Sequence, residues 1–246
     1  MRIYLIPFFL FVSMLASWAC KRNGTTAPSS SQDTMWRIHI DYAERIEGYT
    51  VSADVFLTPG YKFDNSGSVE LHFTKGASSI DLRVDDILLP DYLDPDTNYV
   101  DGQTVIRHYS PPPAADTLSC DHPFFFYDVD FDGKKEILVA SPWGGPRGNR
   151  AYFAFEDTGK RLEDEPLDRL DSDSRFSARE KSITQNYSYG MILGDVILKY
   201  TRQFDGSFRV ADSTHIVYPT ENECYIRYHY RRKGDKMVLV DSTIVK

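Results

Sequence analysis

The chain has 246 residues, 28 Lys+Arg against 36 Asp+Glu, a formal net charge of −8 and 41% hydrophobic residues. An acidic chain without a basic stripe is a poor nucleic-acid binder, because neutralising phosphates needs clustered Lys and Arg. The apolar fraction, with 16 Tyr and 15 Phe in it, excludes a chain that stays disordered.

In chain order, the first segment reads as targeting. Arg2 is its only charge, and Ile3 to Ala16 is almost wholly apolar. That run is short for a bilayer span and ends in small residues, as a secretory signal does. Ser17-Trp18-Ala19-Cys20 supports two readings. One is an ordinary signal-peptidase site after Ala19. The other resembles a bacterial lipoprotein signal, in which Cys20 becomes the first residue and carries a lipid. The expectation carried forward is a signal peptide over 1–19 and lipidation at Cys20, which makes the membrane a partner through the N-terminal lipid. Residues 20–34, rich in Ser and Thr and without apolar periodicity, read as a flexible tether.

Residues 35–246 read as strands. Met35–Tyr42, Tyr49–Leu57 and Ser68–Thr74 alternate apolar and other residues with period two, and Ile80–Val84 follows a Gly-Ala-Ser-Ser turn. From 85 to 122 the chain is rich in Pro, with one strand expected at Thr104–Tyr109 and a sub-boundary near 110–120. Phe124–Tyr127 and Glu136–Ala140 are continuous apolar runs, and Ala151–Glu156 is an aromatic strand. Lys160–Arg179 is charged, with one helical turn at most. Two hairpins follow: Gly194–Gln203 with Ser207–Val217 through Asp205-Gly206, and Cys224–Arg232 with Lys236–Val245. The expected fold is all-β, with antiparallel sheets in a hairpin meander, sandwich-like or an incomplete barrel, and few short helical turns.

The segment richest in chemistry is Asp128-Val129-Asp130-Phe131-Asp132-Gly133-Lys134-Lys135-Glu136. Ca²⁺ wants six to eight oxygens. Alternate carboxylates at Asp128, Asp130 and Asp132 can turn inward on a tight loop. Gly133 permits the turn that aims the Lys134 carbonyl at an ion, and Glu136 closes the shell. An EF-hand would need an acid eleven residues after Asp128, where Val139 stands, and a helix where Phe124–Phe126 reads as strand. The expectation is a strand–loop–strand calcium site. The bland reading is a solvated acidic hairpin, and four carboxylates within nine residues repel without a cation.

The Asp128–Glu136 loop resembles the calcium loops of integrin-type (FG-GAP-like) propeller repeats, but one copy is too few for a propeller. Residues 120–246 resemble bacterial exported β proteins related to periplasmic lysozyme inhibitors and immunity proteins. The matching residues are the loop, Gly148-Asn149, Tyr152, Phe155, Gly159-Lys160, Leu170, Ser182-Ile183 and Tyr200. The resemblance implies an antiparallel β fold, bound calcium and a protein partner, and no catalytic residues. The chain lacks the short loop motif with which lysozyme inhibitors reach the enzyme's carboxylates.

Other features are weaker. Cys120 and Cys224 are the thiols left beyond Cys20. In an oxidising compartment they can bridge, contributing up to roughly 4–5 kcal/mol, or they pack as two separate thiols. Asp94, Asp96 and Asp101 mimic an acidic loop, with Tyr99 where a Gly is wanted. His39, His72, His108, His122, His215 and His229 show no metal-ligand spacing and read as surface or packing residues. Trp143, on a Gly-rich loop, either binds a sugar or partner or folds back on the sheet. Tyr225, Arg227, His229 and Arg231 line one face of a strand, read first as solvated and second as a binding surface. No nucleophile elbow, phosphate loop or paired-Cys zinc spacing is present. The function expected is a calcium-binding module, lipid-anchored to a bacterial membrane and exposed to the periplasm or surface. It would bind a protein or glycan of the cell envelope and be inhibitor- or immunity-like. The alternative is a cell-envelope glycan hydrolase with unidentified catalytic carboxylates.

Overall fold

The computed structural model describes residues 35–58, 66–110, 118, 122–141, 150–188, 194–218 and 224–245. The signal, the tether and Cys20 lie outside the described residues, as do Cys120, the cysteine bridge that depends on it, and Trp143. Among the described residues no helix is long and apolar enough to cross a membrane.

Among the described residues the fold is nearly all β, in three antiparallel or mixed sheets with no closed barrel. The first sheet holds β1 (Trp36–Tyr42), β2 (Thr50–Leu57), β3 (Ser66–Lys75), β4 (Ser78–Leu88) and β5 (Thr104–Arg107), in the order β4-β3-β2-β1-β5. Strands β1 to β4 are an antiparallel meander, and β5 returns parallel to β1. One helical turn, α1 (Leu89–Tyr92), follows β4, with Pro90 near its start. The second sheet holds β6 (Phe124–Tyr127), β7 (Glu136–Ser141), β8 (Ala151–Phe155) and β9 (Leu170–Asp171). The third runs β10 (Arg175–Ser177), β11 (Ser182–Ser188), β12 (Asp195–Arg202), β13 (Phe208–Val217), β14 (Tyr225–Lys233) and β15 (Lys236–Val245), in sequence order.

The second sheet lies between two cores. Alternate side chains of a strand point to opposite faces. Phe124, Ile137, Val139 and Phe155 pack with Ile38, Ile40, Val55, Leu71 and Phe73 of the first sheet. Their neighbours Phe125, Leu138, Ala140 and Tyr152 pack the other way, with Leu170, Phe176 and Ile183. All six residues of β7 are therefore buried. A strand covered on both faces must be apolar throughout, and this explains why 124–126 and 137–140 are unbroken apolar runs.

The expected strands are present, with two differences. Within the charged stretch from Lys160 to Arg179 the chain makes a 3-10 turn, Leu167–Arg169, and the short strands β9 and β10. Strand β11 has no counterpart among the expected strands, because its sequence is mostly polar. Its buried Gln185 is satisfied by donating from Nε2 to the Pro166 carbonyl at 3.0 Å. The sheets fit the expected sandwich-like form: the first places one apolar face against β6–β8 and leaves its other face polar.

Candidate metal centre

Among the described residues, two groups of side chains could hold a metal ion: Asp128, Asp130 and Glu136, and Asp54, Glu70 and His72. In each, one ligand atom per residue lies within 4.8 Å of the others.

The first group is the acidic loop between β6 and β7. Pairing of Tyr127 with Glu136 closes the hairpin and forces the eight residues between them into a compact turn. Asp128 folds back on the loop: its two carboxylate oxygens accept from the N–H of Asp132 and of Gly133, both at 3.1 Å. Asp130 accepts from the N–H of Asp132 at 2.9 Å. Gly133 sits at φ +91°, a conformation that an L side chain rarely adopts. Phe131 is left-handed as well (φ +62°), held there by burial against Phe176 and Phe208. Arg202, from the end of β12, reaches Asp130 at 3.3 Å, so the third sheet also pins the loop.

Glu136 is the base of the group. It is only 6% exposed, and one carboxylate oxygen accepts from the Val129 N–H at 2.9 Å. Burial pushes its carboxyl up to about 7, and the charges of Asp130 and Asp128 act in the same direction. Burial raises Asp130 too, opposed by the hydrogen bond from the Asp132 N–H and by the Arg202 charge, while the charges of Asp132 and Asp128 add to it. A site that strains its carboxylates toward protonation becomes comfortable when a cation replaces the proton. Of the ligands expected from sequence, Asp128, Asp130 and Glu136 come together. Asp132 stands outside that group, and its carboxylate accepts from the Lys134 N–H at 2.7 Å.

The second group lies on the polar face of the first sheet, and no local motif marks it. The register sets His39 opposite Asp54, Asp54 opposite Glu70, and His72 opposite Asp81. Asp54 is 3% exposed. Its Oδ1 meets His39 Nδ1 at 2.7 Å, and its Oδ2 meets Arg37 Nη2 at 2.6 Å and His72 Nε2 at 3.2 Å. Burial alone would raise this carboxyl, but its hydrogen bonds to Arg37 and His39 outweigh that and hold it at about 2. His39 and His72, which have no metal-ligand spacing in sequence, meet here at one carboxylate. Thirty-three residues separate them in sequence, and only strand pairing brings both to one carboxylate. The period-two placement of Arg37, His39 and Asp41, beside Glu70 and His72, was the signal that could have found them.

The remaining candidates are less organised. Asp94 caps its own turn through the Asp96 N–H, and Asp101 accepts from the Arg37 N–H at 2.9 Å. On β14, Arg231 and His229 both meet Asp212 of β13, at 2.9 and 3.5 Å. The chain matches no protein-family model, no curated protein and no solved structure.

Proposed function

We propose that the protein is an exported, lipid-anchored calcium-binding β module that binds a component of the cell envelope. One observation carries the calcium half: three carboxylates, one of them buried, meet within 4.8 Å on a loop clamped from two sheets. Oxygen-only ligands on a loop of this kind suit Ca²⁺, which accepts irregular geometry at 2.3–2.6 Å, better than Mg²⁺, which demands an octahedron and keeps its waters. The loop's position argues for a structural ion. It ties β6–β7, the strands shared by both cores, to Arg202 of the third sheet.

The binding half rests on β14 and β15, which contribute no residue to either core. Strand β15 ends the third sheet and exposes Leu239, Val240 and Ile244. An apolar edge strand of ten residues is a template for a partner's backbone, which favours a protein over a glycan as the occupant. Inhibitor- or immunity-like action fits such a surface.

The test is thermal unfolding of the full chain in mild detergent with excess Ca²⁺, Mg²⁺ or chelator. Calcium at a hundredfold excess over its dissociation constant should stabilise by about 2.7 kcal/mol if it binds only the folded state, and magnesium by far less. Equal melting temperatures in all three conditions would reduce the loop to a solvated turn.

A further inference from the structure

The polar face of the first sheet gathers two histidines and several carboxylates in one network. His39 and His72 each touch a carboxylate with both ring nitrogens. The inner nitrogens, His39 Nδ1 and His72 Nε2, face the two oxygens of Asp54 at 2.7 and 3.2 Å. The outer nitrogens face their own carboxylates: His39 Nε2 meets Asp41 Oδ1 at 3.2 Å, and His72 Nδ1 meets Asp81 Oδ1 at 2.7 Å. A neutral imidazole has one N–H and one lone pair. A protonated His72 donates from both nitrogens to Asp81 and Asp54; a neutral His72 whose Nδ1–H donates to Asp81 keeps its Nε2 lone pair 3.2 Å from Asp54 Oδ2, a spacing that two ligands of one ion can share. Outer carboxylates that fix the tautomer in this way are the usual second layer around metal-binding histidines.

We infer that Asp54, Glu70 and His72 form a site for a divalent transition ion of the zinc class, with His39 holding the far oxygen of Asp54 in place. The ligand atoms of the three already lie within 4.8 Å of one another. One imidazole with two carboxylates is a mixed nitrogen–oxygen set, which suits Zn²⁺ or Co²⁺ and is foreign to Ca²⁺. This site therefore differs in kind from the acidic loop. The backbone is set for it: three adjacent strands in fixed register hold His39, Asp54 and Glu70 in one row, and His72 lies two residues along β3 from Glu70. A site on paired strands is held more precisely than one on a loop.

Two local features bear on entry. Arg37 shares Oδ2 of Asp54 with His72, and its side chain is more than half exposed, so it can swing away as an ion arrives. Beside it opens a cleft of about 350 Å³ lined by Arg37, His39 and Gly102, which gives water and ions access from one flank. Arg83 holds Glu70 through Oε1 at 2.9 Å and leaves the second oxygen for the ion.

The experiment uses the metal-stripped full chain in mild detergent, with saturating Ca²⁺ present to occupy the acidic loop, titrated with Co²⁺ and then displaced by Zn²⁺. The expected result is one equivalent of Co²⁺ with visible d–d absorption that Zn²⁺ abolishes. Affinity should fall at least tenfold in His72→Gln and in Asp54→Asn, and stay unchanged in Asp130→Ala. His72 is partly exposed, so His72→Gln keeps the test sound if Asp54→Asn fails to fold, and circular dichroism checks both. No saturable binding, binding that survives His72→Gln, or binding lost in Asp130→Ala would each overturn the site and leave Asp54 as the centre of a charge network only.

Discussion

Replacing Glu136 by glutamine removes one negative charge from the loop while keeping an oxygen to accept the Val129 N–H. In the wild type the folded protein holds the Glu136 proton up to about 7, against an ordinary 4.5. Between those values the folded state binds a proton that the unfolded chain has released, so in chelator stability should fall as pH rises from about 4.5 through about 7. A tenfold change in proton affinity is about 1.4 kcal/mol, so the full difference is roughly 3 kcal/mol. Water reaching the loop screens part of this, leaving about 2 kcal/mol. Glu136→Gln in chelator at pH 8 should therefore be about 2 kcal/mol more stable than wild type, and its stability should be flatter between pH 5 and 8. In calcium the order should reverse, because the variant lacks a ligand. Urea denaturation at pH 5 and pH 8, with calcium or with chelator, reads all of this. A variant that is less stable than wild type in chelator at pH 8 would refute the claim that these carboxylates repel in the empty loop. A wild-type profile already flat from pH 5 to 8 would refute the raised carboxyl itself.

Gly133→Ala adds a methyl group that meets nothing within 4 Å but stands at φ +91°. It should cost about 1–2 kcal/mol and weaken calcium binding severalfold, measured by calcium titration; wild-type affinity and stability would mean that the loop relaxes freely. Leu138→Ala empties a fully buried position in the core between the second and third sheets. It should cost about 2–5 kcal/mol in urea denaturation, and a loss under 1 kcal/mol would show that core to be loosely packed. Cys20→Ser should move the protein from the membrane to the soluble fraction, and wild-type protein already soluble on fractionation would remove the lipid anchor.

The strands were legible where one face or both meet a core. Ile38, Ile40 and Tyr42 alternate with Arg37, His39 and Asp41, and the sheet buries the first set and leaves the second polar. Phe124–Phe126 and Ile137–Ala140 were legible as strands, but not as the layer between two cores, since a strand buried on both faces looks the same whichever sheets cover it. Strand β11 was hidden because its stability comes from pairing along its whole length with β12 and from the hydrogen bond of Gln185, not from an apolar stripe. Sequence patterns report what a residue buries. They do not report what its backbone pairs with.

The same limit separates the two metal candidates. The acidic loop brings its ligands from one turn of chain, so the spacing of Asp128, Asp130 and Glu136 is itself the geometry. The sheet site draws His39, Asp54, Glu70 and His72 from three strands, and its geometry exists only in the register that aligns them. A slip of one residue in β2 would turn Asp54 toward the core and bring Ala53 or Val55 to the polar face. The buried Asp54 therefore ties its partners to the pairing itself. Its carboxylate is tolerable at 3% exposure only while Arg37, His39 and His72 surround it. That makes the polar face a check on register as well as a place for an ion. The two roles separate experimentally, because the register needs any neutraliser of Asp54, whereas an ion needs an unprotonated ring nitrogen. Arg37→Gln should lower stability by removing one neutraliser, with recovery on adding Zn²⁺ if the ion takes over that charge. Stability lost and not restored by Zn²⁺ would assign the face to register alone.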